Sequence, residues 1–206
     1  MCGIAVVGTS GVGKSTLAVA VSNVTGIPYI SSQVRPVYEM FGLDPAKQLE
    51  FDQKMQVQLK IVELAEMQYK AANSLFITDR SPVDFMAHVL ADIHVEGLDE
   101  FRTKVVMDYI ERCYQVTNLY FQSLILVQPG IKFEERKARP SNPAHLEHLN
   151  LLMIGIISDP DGKLHPAKHF LKKSMLDLNR RVETVIKIGC LIESGNMKQR
   201  LASKVH

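Results

Sequence analysis

Gly8-Thr9-Ser10-Gly11-Val12-Gly13-Lys14-Ser15-Thr16 stands directly after an apolar run, Gly3 to Val7, and opens an amphipathic segment. Glycines let a backbone take conformations closed to other residues, so main-chain N–H groups can approach a ligand with no side chain between. Successive N–H groups at the start of a helix form a nest for an anion. A lysine at the end of such a loop sets a cation against terminal phosphates, and the hydroxyl after it is a hard oxygen ligand for Mg2+. The spacing Gly8-x4-Gly13-Lys14-Ser15 is that of a phosphate-binding P-loop, in the strand-then-helix context such a loop needs. By chance the bare pattern arises in roughly one chain of this length per hundred, before the flanking context is counted. Gly8, Ser10, Gly11, Val12, Gly13, Lys14, Ser15 and Thr16 are therefore expected to hold a nucleoside triphosphate.

Three further groups extend the chemistry. Ser74 to Thr78 reads as an apolar strand ending in Asp79-Arg80-Ser81. A carboxylate there has the form of a Walker B aspartate, so Ser15 and Asp79 are the expected Mg2+ ligands. Arg35 follows the short run Ile27 to Ile30, at the strand edge where open α/β sheets bind ligands. Arginine is the natural bidentate partner of phosphate, and a solvated loop residue is the plainer alternative. Lys132 to Pro143 is charged and bounded by prolines, with Arg136, Lys137 and Arg139 close together. Most charge runs are solvated loops. Placed after a strand's carboxyl end, this one reads as a lid bringing Arg136 or Arg139 onto phosphates in transfer. Gln53, Gln56 and Gln58 receive no role, Asp84 only a local one, and His88 and His94 read as surface or packing residues.

These residues need a scaffold to hold them. The chain has 206 residues, 46% hydrophobic and 22% charged, which suits one α/β domain. A net charge of +2 argues against a nucleic-acid acceptor, which favours a basic groove. No apolar run approaches the ~20 residues that span a bilayer, and no leader is expected before the first strand. Three scattered cysteines fit a reducing cytoplasm rather than disulfides or zinc.

Periodicity predicts helices over about 13–24, 47–73, 82–97, 98–116, 143–156 and 177–187, and strands at 3–7, 27–30, 74–78, 121–127 and 169–174. The second helix is expected to bury a stripe through Met55, Leu59 and Val62; the fourth, one through Phe101, Val105 and Tyr109. The last helix is expected to bury Leu178, Val182, Val185 and Ile186. Asn118-Leu-Tyr-Phe-Gln-Ser123 is similar to a viral-protease recognition sequence but leads straight into a strand, so it reads as part of the fold. The expectation is a single three-layer domain over 1–206: a parallel sheet of about five strands, helices on both faces, and a helical lid at about 130–160.

With the P-loop, Arg35 and Asp79-Arg80-Ser81 in place, the chain resembles the P-loop nucleoside and nucleotide kinases, above all the thymidylate-kinase-like and ribosylnicotinamide-kinase-like branches. The resemblance covers residues 3 to 90 well and the rest in outline. It implies ATP as phosphoryl donor and Mg2+ on Ser15 and Asp79. It also implies an acceptor held by Arg35 and Arg80, with Lys14, Arg80, Arg136 and Arg139 acting on the transferring group. Many nucleoside kinases carry a glutamate at the end of the second strand as base; here Ser32 and Gln33 stand there, and neither is a base near neutral pH. An acceptor that is already a phosphate needs cations instead, so a (deoxy)nucleoside monophosphate is the expected acceptor. A nucleoside, ribosylnicotinamide or a modified DNA base, an NTP-hydrolysing switch or motor, and a nucleotide-sensing module remain open, as does a homodimer.

Overall fold

The structure, a computed structural model, describes residues 3–45, 47, 49–93, 97–130 and 142–189. Its sheet has five strands, β1 (Gly3–Val7), β2 (Tyr29–Ile30), β3 (Phe76–Thr78), β4 (Phe121–Val127) and β5 (Ala167–Leu171). They lie in the order β2-β3-β1-β4-β5, every pair parallel. β1 is central, its Ile4 opposite Ile77 on one side and Ser123 on the other. Side chains alternate across a strand, and both faces of this sheet are covered, which is why β1 is apolar without interruption. Ala5 and Val7 face the core formed with α3 (Phe51–Ala71), α4 (Pro82–Ala91), α5 (Glu100–Tyr120) and α6 (Pro143–Ser158). Ile4 and Val6 face α1 (Lys14–Thr25) and α7 (Leu178–Ile188). The expected three-layer architecture is thus present.

The junction of α5 and β4 is the protease-like sequence. Tyr120 ends the helix, Phe121 begins the strand, and both are buried. Their rings surround Tyr69, whose ring stacks on Phe76 at 5.4 Å and meets Phe121 edge-on at 5.0 Å. This aromatic cluster closes the sheet at the amino-terminal ends of β3 and β4, opposite the P-loop.

Several local expectations are corrected. A seven-residue helix, α2 (Val34–Met40), replaces the expected loop around Arg35. On α3 the buried stripe runs through Met55, Gln58, Ile61, Val62, Ala65 and Tyr69, whereas Leu59 is 46% exposed. The stripe's phase was hidden because one buried position is a glutamine, whose Oε1 accepts from the Tyr109 hydroxyl at 3.3 Å. Phe101 sits in the solvent-facing first turn of α5 and is exposed. On α7 the buried face includes Arg181 rather than Leu178. β5 lies two residues earlier than expected, and as an edge strand it keeps Lys168 only partly covered.

Of the expected lid at 130–160, residues 131–141 lie outside the described residues, Arg136 and Arg139 among them. The described remainder, α6, packs along α4 and buries Leu149, Met153 and Ile157. Asn142 caps it, accepting from the Ala144 N–H at 2.9 Å. Among the described residues, no helix is long and apolar enough to cross a membrane.

Candidate active site

The P-loop leaves the carboxyl end of β1, between the ends of β3 and β4, where open α/β sheets place their ligands. Gly8 has φ of 146°, and a Cβ there would come within 2.5 Å of the Val127 carbonyl oxygen, so no other residue fits between β1 and β4. Gly13, at φ 87°, is the N-cap of α1 and offers no side chain to its first turn. The first N–H groups of that helix are therefore directed to an anion rather than to a capping oxygen.

Lys14 is buried along the loop. Its Nζ donates to the carbonyl oxygens of Gly8 at 2.5 Å and Thr9 at 2.8 Å. The ammonium is thereby held over the concave side of the loop, the position from which it serves phosphate oxygens. The Ser15 hydroxyl donates to Oδ2 of Asp79, so the two expected metal ligands, 64 residues apart, are neighbours. Oδ1 of Asp79 accepts from the Ser32 N–H at 3.4 Å, tying in the end of β2. Tyr29 lies beside this pair; burial raises its phenol pKa, and the Asp79 charge raises it further. Ser10 and Gly13 are half-buried and Gly11, Ser15 and Thr16 exposed, while Val12 turns its side chain into the core against α7.

Asp84 proves more than a local cap. It completes a capping box at the start of α4, its Oδ2 accepting from the Ser81 N–H at 2.9 Å. Its Oδ1 accepts from the Gly8 N–H at 3.1 Å, which fixes the first residue of the P-loop. The carboxyl is fully buried. Desolvation raises its pKa, opposed by Lys14, the Ser81 and Gly8 N–H groups and Arg80. The pattern Ser81-x-x-Asp84 signals a cap, but nothing local signals a bond spanning 76 residues.

Arg80 is half-buried at the turn between β3 and α4. Its carbonyl accepts from the Thr78 hydroxyl at 3.1 Å and the Tyr69 hydroxyl at 3.4 Å, latching that turn. His88, on α4, is half-buried. Burial chiefly, then the positive charges of Arg80 and Lys14, push its pKa down to about 3. Arg35 stands apart: its side chain is 77% exposed on α2 and pairs with Glu39 at 3.3 Å. The structure thus brings together Gly8 to Ser15 and Asp79, with Arg80 next to Asp79 in the chain, and leaves Arg35 exposed on α2.

A family model described as an AAA domain matches residues 3–154, well over half of the chain. No curated protein matches it. Among solved structures it is similar to deoxyadenosine kinase from M. mycoides with the products dCMP and a flexible dCDP bound. That match has 17% identity and a TM-score of 0.65, covering 92% of this chain and 100% of that one. The same enzyme with bound dATP matches at 18% identity and a TM-score of 0.66, covering 91% and 98%. At such identities the likeness is one of fold. The chain belongs to the AAA domain family and has the fold of the P-loop nucleoside and nucleotide kinases.

Proposed function

We propose that the protein transfers the γ-phosphoryl group of ATP to a (deoxy)nucleoside monophosphate. The observation that carries this reading is the Ser15–Asp79 hydrogen bond beside the P-loop lysine. A hydroxyl and a carboxylate are hard oxygen donors and fit Mg2+. Ser15 and Asp79 would hold the ion, which when bound would neutralise charge on the β- and γ-phosphate oxygens. Lys14 then draws the same oxygens from the loop side, and the N–H groups of the loop and of α1 orient the triphosphate. Arg80 and Arg35 receive the acceptor, and Arg136 and Arg139 close on the transferring group. Catalysis of this kind is positioning and electrostatics, which these residue types supply.

The acceptor's charge is inferred from the cleft. Arg80 and Arg35 are the two cations assigned to the acceptor, and Ser32 and Gln33, which follow β2, offer no base near neutral pH. Such a site favours an anionic acceptor. A free nucleoside is the second reading, supported by the likeness to deoxyadenosine kinase structures. In that case Asp79, whose carboxylate faces the site from the end of β3, takes the proton of the attacking hydroxyl. In either reading the protein works as a single domain on small nucleotides in the cytoplasm.

ADP release measured with a panel of nucleosides and nucleoside monophosphates separates these readings. Turnover dependent on a monophosphate supports the first and turnover dependent on a nucleoside the second. Acceptor-independent ADP release would mean an NTP hydrolase, and triphosphate binding without turnover a sensor; either overturns the proposal.

A further inference from the structure

Arg181, in the first turn of α7, is 2% exposed. Its Nε donates to the Met175 carbonyl at 2.5 Å, and its Nη1 donates to the carbonyl of Val12, within the P-loop, at 3.0 Å. Among the described residues no carboxylate pairs with this guanidinium, and burial pulls its pKa down. A buried, unneutralised arginine is costly to keep, so its two carbonyl bonds call for an explanation beyond charge pairing.

The peptide plane supplies one. The Val12 carbonyl and the Gly13 N–H belong to one trans peptide unit and point in opposite directions. Drawing the carbonyl outward onto Arg181 therefore aims the Gly13 N–H inward, toward the anion nest. Glycine at position 13 leaves that peptide free to rotate, so an external hold is needed. The side chain of Val12 is buried in one cluster with Leu17 and Leu171, so the bond from Arg181 is what sets the direction of its carbonyl.

We infer that Arg181 is a positioning residue of the donor site: it orients the Val12–Gly13 peptide so that the P-loop presents the Gly13 N–H to the triphosphate. Through this bond the segment from Met175 to α7 sets the affinity of a loop more than 160 positions earlier. The inference rests on the reading of the P-loop as a nucleotide site.

The test compares Arg181→Met, Arg181→Lys and Val182→Ala with the wild type. Dissociation constants for Mg·ATP would be measured by calorimetry at a temperature where circular dichroism shows each protein folded. Arg181→Met should bind about tenfold more weakly, the worth of one charge-assisted hydrogen bond. Arg181→Lys, which keeps the charge but cannot span two carbonyls as a planar fork does, should recover part of the loss. Val182→Ala trims the same helix without touching the carbonyl; it should lower thermal stability and leave affinity unchanged. Amide exchange at Gly13 should quicken in Arg181→Met and not in Val182→Ala. If Arg181→Met does not fold, Arg181→Lys decides alone, with roughly threefold weaker binding expected. Wild-type affinity in a folded Arg181 variant, or an equal loss in Val182→Ala, overturns the inference while leaving the donor site standing. A wild type that binds no triphosphate overturns both together.

Discussion

The Gly8 N–H donates to Oδ1 of Asp84 at 3.1 Å, so the residue that opens the P-loop is held by the residue that caps α4. The other oxygen of the same carboxylate accepts from the Ser81 N–H at 2.9 Å. One buried side chain thus joins the donor loop to the turn that carries Asp79 and Arg80. In Asp84→Asn only one of the two side-chain atoms can accept, so either the Gly8 or the Ser81 N–H is left buried without a partner. The expected loss is about 1–3 kcal/mol of stability, read by urea denaturation, with a raised KM for ATP. Asp84→Ala orphans both N–H groups and should cost more than Asp84→Asn. Equal stability of all three proteins would show that the bond to Gly8 is incidental.

Lys14→Ala should abolish phosphoryl transfer and leave the fold intact, since the lysine donates to two carbonyls of its own loop, those of Gly8 and Thr9. Transfer and circular dichroism would be followed on the same preparation. Full activity in a folded variant would remove the P-loop from the mechanism.

Asp79→Asn keeps the shape of the side chain and an acceptor for the Ser15 hydroxyl but removes the charge. The Mg2+ concentration for half-maximal activity should rise at least tenfold, because charge is what draws a strongly hydrated ion to a short-lived site. A Mg2+ dependence identical to the wild type would take Asp79 out of the metal site.

How far the sequence reached depended on whether the information was local. The P-loop was legible in full because its function lies in main-chain conformation, and Gly8, Gly13 and Lys14 mark that conformation within eight residues. β1, β3 and β4 were legible because both faces of the sheet are covered there, leaving continuous apolar runs such as Gly3 to Val7, whereas the short helix α2 was read as a loop. The pairing of Ser15 with Asp79 followed from the motif's logic. Side chains whose roles depend on distant packing were not legible: Gln58 is buried because Tyr109 on another helix satisfies it, and Arg181 because Val12 does. His88 carries no motif, and its surroundings come from α1, α3, α6 and the turn after β3. Helix phase failed for a related reason, since a buried glutamine or arginine breaks the apolar stripe by which phase is read.

Arg35 offers a clean separation of binding from stability. Its pair with Glu39 is an exposed i,i+4 contact and contributes at most a few tenths of a kcal/mol. Arg35→Ala should therefore melt with the wild type. If Arg35 leaves Glu39 for the acceptor phosphate, KM for the acceptor should rise with kcat little changed. An unchanged KM would leave Arg35 a solvated helix residue.

His88 predicts a pH dependence of stability. Its pKa is pushed down to about 3, below the ordinary histidine value of 6.5, because burial and then the cations Arg80 and Lys14 oppose a further positive charge. Between these two values the unfolded chain holds a proton on His88 that the folded chain does not. Stability is therefore fully present above pH 6.5 and is lost as pH falls toward 3. One proton accounts for at most about 1.4 kcal/mol per pH unit in that window, and for less to the extent that water reaches the half-buried ring. His88→Gln removes the titration while keeping a polar side chain of similar length. Its urea midpoint should lie near the wild-type value at pH 7.5 and decline less steeply between pH 6.5 and 4.5. Asp92, which pairs with Lys54 from the end of α4, is shared by both proteins, so the difference between the two curves isolates the histidine. Parallel curves would mean that His88 accepts a proton in the fold as readily as in the unfolded chain.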